Sequence, residues 1–264
     1  MNYIYASIPP PAMLFYQNCA MPYRQLNLND AAAFLQLDPQ TLRAMALRAE
    51  IPSNHQGERF LFEQEDLDAW YSERILHEAV VKPLDEARRD SQVASACRPL
   101  ILTPLCSPDA IDSAMKGKTQ TAVLRDLTRL ATNTGLLYNP DDLYEELRKR
   151  EQIGTTAIDN GVALPHPLQR DNYMFEASFV CVGRLHNPIF FGAAPDNSKT
   201  DLFFLICCKE NQLHLQVLTQ ICMLCLNTSI LADLRSCDSP TEIYEVISNR
   251  ETELNAAKPR KGKR

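Results

Sequence analysis

A chain of 264 residues, 45% hydrophobic and 23% charged, can bury one or two cores, and the length favours two domains. Its net charge of −6 at pH 7 excludes a global attraction to nucleic acid, so any such binding must come from a local patch. The nine cysteines, at 19, 97, 106, 181, 207, 208, 222, 225 and 237, include no second pair to complete a metal knuckle and read as reduced, mostly buried thiols of a cytoplasmic chain.

Residues 1–25 contain Pro9-Pro10-Pro11 and have Arg24 as their first basic residue, so they lack the charged n-region of a secretory signal. They read as a disordered lead, with Met13 or Met21 as alternative starts. No apolar run approaches the ~20 residues of a membrane helix, so no membrane insertion is expected.

From Leu26 the pattern becomes two short amphipathic helices, Leu28 to Leu35 and Leu37 to Arg48, joined by a tight turn. Asn29 suits the N-cap of the first, and Asp38-Pro39 supplies cap and first-turn proline for the second. Ile51-Pro52, a polar loop from Ser53 to Gly57, an extended Arg59 to Phe62 and a helix from Gln64 to Trp70 follow. This order resembles the winged helix-turn-helix of excisionase and MerR-type proteins, including the Ile-Pro and the Asp-Leu-x-x-Trp, over residues 26–76. The resemblance implies DNA contacts from Gln40, Thr41, Arg43 and Arg48 on the second helix and Arg59 in the wing. Residues 26–76 carry four bases (Arg43, Arg48, Arg59, Arg74) against nine acids, whereas a DNA reader usually presents a basic footprint. A protein-contact role therefore stands beside DNA binding. The clustering of three of the bases on the second helix and wing tips the reading toward DNA.

Residues 77–100 read as a partly helical linker without a clear apolar stripe. Beyond it, Gln120 to Leu137 shows helical spacing of Val123, Leu124, Leu127, Leu130 and Ala131, and Pro140 to Arg150 reads as a capped helix with Asp141 and Asp142 in its first turn. Glu176 to Val182 and Asp201 to Cys208 are β-rich apolar runs that suit buried strands. Helices are expected near Gln212 to Asn227, Ile230 to Cys237 and Pro240 to Ser248, which makes residues 101–250 an α/β domain. Cys222 and Cys225 have the spacing of a redox or zinc half-site but lie in an apolar helical run, so they read as core thiols. Residues 251–264 end in five bases within seven positions and read as a basic, disordered tail.

The most informative segment is Arg150-Glu151-Gln152-Ile153-Gly154-Thr155-Thr156 running through Asn160-Gly161 to Leu164-Pro165-His166. Gly154 and Gly161 suit tight turns or close approach, Asn160-Gly161 is a turn signal, and Pro165 fixes the backbone before His166. The segment resembles the active site of the phosphotransferase-system enzyme IIA family, type 2, of the fructose, mannitol and nitrogen branches. That resemblance implies an α/β sandwich with a mixed sheet flanked by helices, preceded here by a small, mainly α winged helix-turn-helix. It implies His166 as phosphoryl acceptor from the histidine phosphocarrier HPr, Arg150 as its partner, and His214 as a second histidine at the start of a late helix. The sequence departs from the family's usual form at Thr156-Ala157, Asp159 and Pro167.

A phosphoryl group carried on imidazole needs a neutral nitrogen nucleophile and positive groups for its oxygens, which these three side chains can supply without a metal or a nucleotide cofactor. The expected function is a regulatory phosphocarrier of a nitrogen-type system whose phosphorylation alters what the helix-turn-helix binds. Alternatives are a sugar-uptake component donating to a separate IIB protein, and a binding module that is not phosphorylated. Expected partners are HPr, DNA, a regulated target or IIB protein, and a second copy in a homodimer by helix-turn-helix geometry.

Overall fold

The computed structural model describes residues 25–35, 37–57, 59–64, 66, 67, 70, 71, 74, 102–169, 173–225 and 228–256. The expected lead apart from Gln25, the linker 77–100 and the basic run 258–264 lie outside them.

In the first domain, β1 (Gln25–Asn27) leads directly into α1 (Leu28–Leu35), and α2 (Pro39–Leu47) follows. The cap of α1 is Asn27 rather than Asn29, because its Oδ1 accepts the N–H of Asn29 at 2.9 Å and of Asp30 at 3.1 Å. Asp38 caps α2 as its residue type dictates, accepting from the N–H of Gln40 at 3.0 Å and Thr41 at 3.1 Å. The stretch expected as a polar loop instead forms β2 (Asn54–Gln56), which pairs antiparallel with β3 (Arg59–Glu63) as Asn54↔Leu61 and His55↔Phe60. With β1 on the other side of β3, this gives a three-stranded wing in the order β1-β3-β2. Gln64, Asp66, Leu67, Trp70, Tyr71 and Arg74 are helical. Leu26, Ala31, Leu35, Leu42, Met45, Phe60, Phe62 and Leu67 bury one small core beneath these elements.

The second domain is built on a mixed sheet of β4 (Ile111–Met115), β5 (Ala157–Ile158), β6 (Val162–Ala163), β7 (Phe179–Ile189) and β8 (Thr200–Cys207), in the order β4-β7-β8-β6-β5. β7 and β8 pair antiparallel, while β4 joins β7 and β6 joins β8 in parallel. Every residue of β8 is buried, and its side chains alternate between two cores. Leu202, Phe204 and Ile206 face one, with α5 (Asn211–Cys225), α6 (Thr228–Ser236) and α7 (Pro240–Ala256). Phe203, Leu205 and Cys207 face the other, with α3 (Gln120–Asn133) and α4 (Pro140–Ile153). The domain is therefore a sheet between two helical layers.

Several boundaries differ from those the sequence suggests, among them β7, which runs from Phe179 to Ile189 rather than from Glu176 to Val182. The first helix of this domain stops at Asn133 rather than reaching Leu137, because Gly135 takes φ 72° and leaves the helical path. α4 continues through Arg150 to Ile153. α7 continues to Ala256, through the start of the expected disordered tail at residue 251. That extension is anchored by Glu251, whose buried carboxylate accepts the N–H of Leu102 at 2.7 Å and of Thr103 at 2.8 Å. Tyr71, at the end of the first domain, packs against both its own core and that of the α5–α7 layer.

Candidate phosphoryl-transfer site

The site forms where the last turn of α4 meets the β5–β6 hairpin and the chain leaving β6. β5 and β6 pair as Ala157↔Ala163 and Ile158↔Val162. Their connection places Asn160 at φ 65° and Gly161 at φ 77°, the left-handed conformation that Asn-Gly adopts most readily. Gly161 also has no room for a side chain, since a Cβ there would stand 2.9 Å from the Lys199 carbonyl. Gly154 is different: it is extended at φ −178°, nothing lies within reach of a Cβ, and its backbone demands no glycine.

His166 is fully buried. Its Nδ1 lies 2.8 Å from the Leu164 carbonyl oxygen, which can only accept, so Nδ1 carries the proton. Nε2 is then the lone-pair nitrogen, and Arg150 Nε donates to it at 3.0 Å. The Arg150 guanidinium is itself buried and donates from Nη1 to the Gly154 carbonyl at 2.9 Å. His214, also fully buried, sits one turn into α5 with its ring centroid 4.9 Å from that of His166 at 56°. The structure thus brings together the three residues the sequence singles out. The N–H of His214 is already engaged by the Glu210 carbonyl at 3.0 Å, so its ring, and not its backbone, faces the other histidine.

Sequence reasoning passed over the support behind these groups. Glu151 accepts from Thr156 N–H at 3.2 Å, from the Thr156 hydroxyl and from Gln120 Nε2 at 3.4 Å. Burial pushes its carboxyl up to about 7, a rise held back by the Thr156 hydrogen bonds and the Arg150 charge. Glu146, one turn before Arg150, accepts from Lys149 Nζ at 2.6 Å and from Gln169 N–H at 3.0 Å, which fastens the chain just after His166. The Arg-Glu pair and the threonines after Gly154 are the signals that could have exposed this layer. Among the described residues no group of three or more His, Cys, Asp or Glu side chains could hold a metal ion.

In the first domain, Gln40, Thr41, Arg43, Arg48 and Arg59 are all exposed. Arg48, however, is held by Glu50 in a two-pronged ion pair at 2.6 and 3.0 Å, which holds the Glu50 carboxyl below its ordinary range. Leu47 beside it is 65% exposed.

Cys222 and Cys225 lie in the α5–α7 core, and burial pushes the Cys222 thiol up to about 12. Among the described residues no single helix is long and apolar enough to cross a membrane.

Residues 104–250 match the family described as phosphoenolpyruvate-dependent sugar phosphotransferase system, EIIA 2, and residues 26–75 match a helix-turn-helix domain. The chain is 33% identical over 150 residues to a nitrogen regulatory protein of Bradyrhizobium diazoefficiens, covering 56% of this chain and 94% of that protein. To the nitrogen regulatory protein of Escherichia coli it is 33% identical over 115 residues, 42% of this chain and 68% of the relative. The crystal structure of nitrogen regulatory protein IIA-Ntr from Neisseria meningitidis superposes with a TM-score of 0.50 at 22% identity, over 55% of this chain and 97% of that one, which shows a shared fold.

Proposed function

The chain belongs to the phosphotransferase-system EIIA 2 family, and from that premise we propose that it is a cytoplasmic regulatory phosphocarrier of the nitrogen type, accepting a phosphoryl group from HPr on His166. The observation that carries the reading is the Arg150–His166 pair, which leaves one neutral nitrogen, Nε2, as the nucleophile. As that lone pair forms a bond to phosphorus, the bond between phosphorus and the HPr histidine breaks and its electron pair stays on HPr. Positive charge grows on the His166 ring, and the Leu164 carbonyl stabilises it through Nδ1–H. Arg150 Nε, which covers Nε2, must move onto the phosphate oxygens, where its planar fork neutralises their charge. His214 donates to the same oxygens from its ring.

The nitrogen-type assignment is supported by the nitrogen regulatory relatives and by the attached helix-turn-helix. In this reading the first domain binds DNA through Gln40, Thr41, Arg43 and Arg59 and is sensitive to the roughly 1.5 to 2 negative charges that a phosphate adds. Arg48 contributes only if Glu50 releases it. Transfer onward to a separate IIB protein would leave the His166 chemistry the same.

The test is incubation of the purified chain with enzyme I, HPr and labelled phosphoenolpyruvate, beside His166→Ala. Acid-labile, base-stable label on the native chain and none on the variant is the expected result. A folded native chain that takes no label from its cognate HPr would overturn the proposal.

A further inference from the structure

Glu151 is partly buried next to the reacting pair and takes no part in the transfer itself. Its carboxylate grips both the N–H and the hydroxyl of Thr156, with Gln120 Nε2 as a third donor from α3. Thr156, itself fully buried, is tied in both directions to the groups that react. Two residues upstream, the Gly154 carbonyl holds Arg150 Nη1 at 2.9 Å. Across the hairpin, the Thr156 carbonyl accepts the Leu164 N–H at 3.0 Å, and the Leu164 carbonyl in turn holds His166 Nδ1–H at 2.8 Å. The neighbouring Thr155 is seated against Gly192, where a Cβ would stand 2.0 Å from the Thr155 hydroxyl, so the outer side of the turn is closed by a residue without a side chain.

We propose, resting on the phosphocarrier reading above, that Glu151 and Thr156 form a positioning clamp that sets both the Arg150 guanidinium and the proton on His166 Nδ1. One carboxylate thereby fixes the Gly154 carbonyl that orients the arginine and the Leu164 carbonyl that selects the tautomer. A clamp of this kind acts on geometry, so its loss is expected in kcat rather than in KM for HPr. Displacing a catalytic group by about 1 Å can cost on the order of 100-fold in rate.

The experiment compares Glu151→Ala, Thr156→Val and Thr156→Ser with the native chain, each checked for folding by circular dichroism. Two quantities are read: the kinetics of phosphorylation by phospho-HPr, and the ring ¹⁵N shifts of His166, which report the tautomer without any phosphate. Thr156→Val is expected to lower kcat about 10-fold or more with KM for HPr within about twofold, and to mix the two His166 tautomers. Glu151→Ala should do the same more strongly, and Thr156→Ser, which restores the hydroxyl, should recover the native tautomer and most of the rate. Should Glu151→Ala not fold, the Thr156→Val and Thr156→Ser pair carries the same comparison. Folded Thr156→Val with native kcat and native ring shifts would overturn the clamp. A native chain that is never phosphorylated would overturn the phosphocarrier reading instead, and the ring shifts would still decide the clamp.

Discussion

At His166 the nitrogen proposed as the nucleophile follows from what surrounds the ring, because Leu164 offers only an acceptor at Nδ1 and Arg150 only a donor at Nε2. Replacing Arg150 by alanine removes the guanidinium that donates to His166 Nε2, so the rate of phosphorylation by phospho-HPr should fall about 100-fold or more. A native rate in that variant would exclude Arg150 from the transfer. Glu151 adds a pH dependence of stability. Its carboxyl titrates near 7 in the folded chain against an ordinary value of 4.5, so between those values the folded state binds more protons than the unfolded one. Its stabilising contribution is therefore complete below 4.5 and is lost as pH rises through about 7. Urea unfolding of the native chain and Glu151→Gln across pH 4 to 8 should show the native chain losing stability relative to the variant as pH rises. A difference that stays flat would contradict the burial of this carboxyl. His166, Arg150 and His214 could be picked from the sequence because the glycine-punctuated Pro-His loop resembles the enzyme IIA active site, and that resemblance implies all three. Glu151 could not, because its role depends on which N–H and hydroxyl it meets once Thr156 is folded back beneath α4.

The β5–β6 hairpin is the element that carries the site, and Gly161 is its most constrained point. Gly161→Ala should destabilise the domain by about 1–3 kcal/mol, since it combines a left-handed backbone with a contact on the Lys199 carbonyl. Gly154→Ala, extended and uncrowded, should shift the urea midpoint little. Equal losses at the two glycines would contradict this account. The same contrast explains what could be read in advance. Asp38-Pro39 marks a helix start with local chemistry, and Asp38 caps α2; Pro140 likewise opens α4, whose cap in the structure is Asn139. β2 was hidden because Asn54–Gln56 has no apolar alternation and becomes a strand only by pairing with β3. The alternate faces of β8 were hidden too, because a strand buried on both sides reads as one continuous apolar run.

Over the whole molecule, two modules of different charge logic share one chain. The first is acidic over residues 26–76 yet turns Gln40, Thr41, Arg43 and Arg59 outward, and the second holds the His166 ring inside. If the modules communicate, phosphorylation should weaken DNA binding, because it adds negative charge to a chain that already has a net charge of −6. Fluorescence anisotropy with phosphorylated chain and with His166→Ala would check this, and identical affinities would separate the two functions. Membership in the enzyme IIA family was legible from the single segment around His166, while the docking of Tyr71 onto the second core was not, since it joins residues far apart in sequence. The central claim is the identity of the reacting nitrogen, and ³¹P and long-range ¹H–¹⁵N spectra of the chain phosphorylated by HPr test it most directly. One phosphohistidine bonded through Nε2 of His166 is predicted. Phosphate on Nδ1, on another histidine, or on none at all would contradict it.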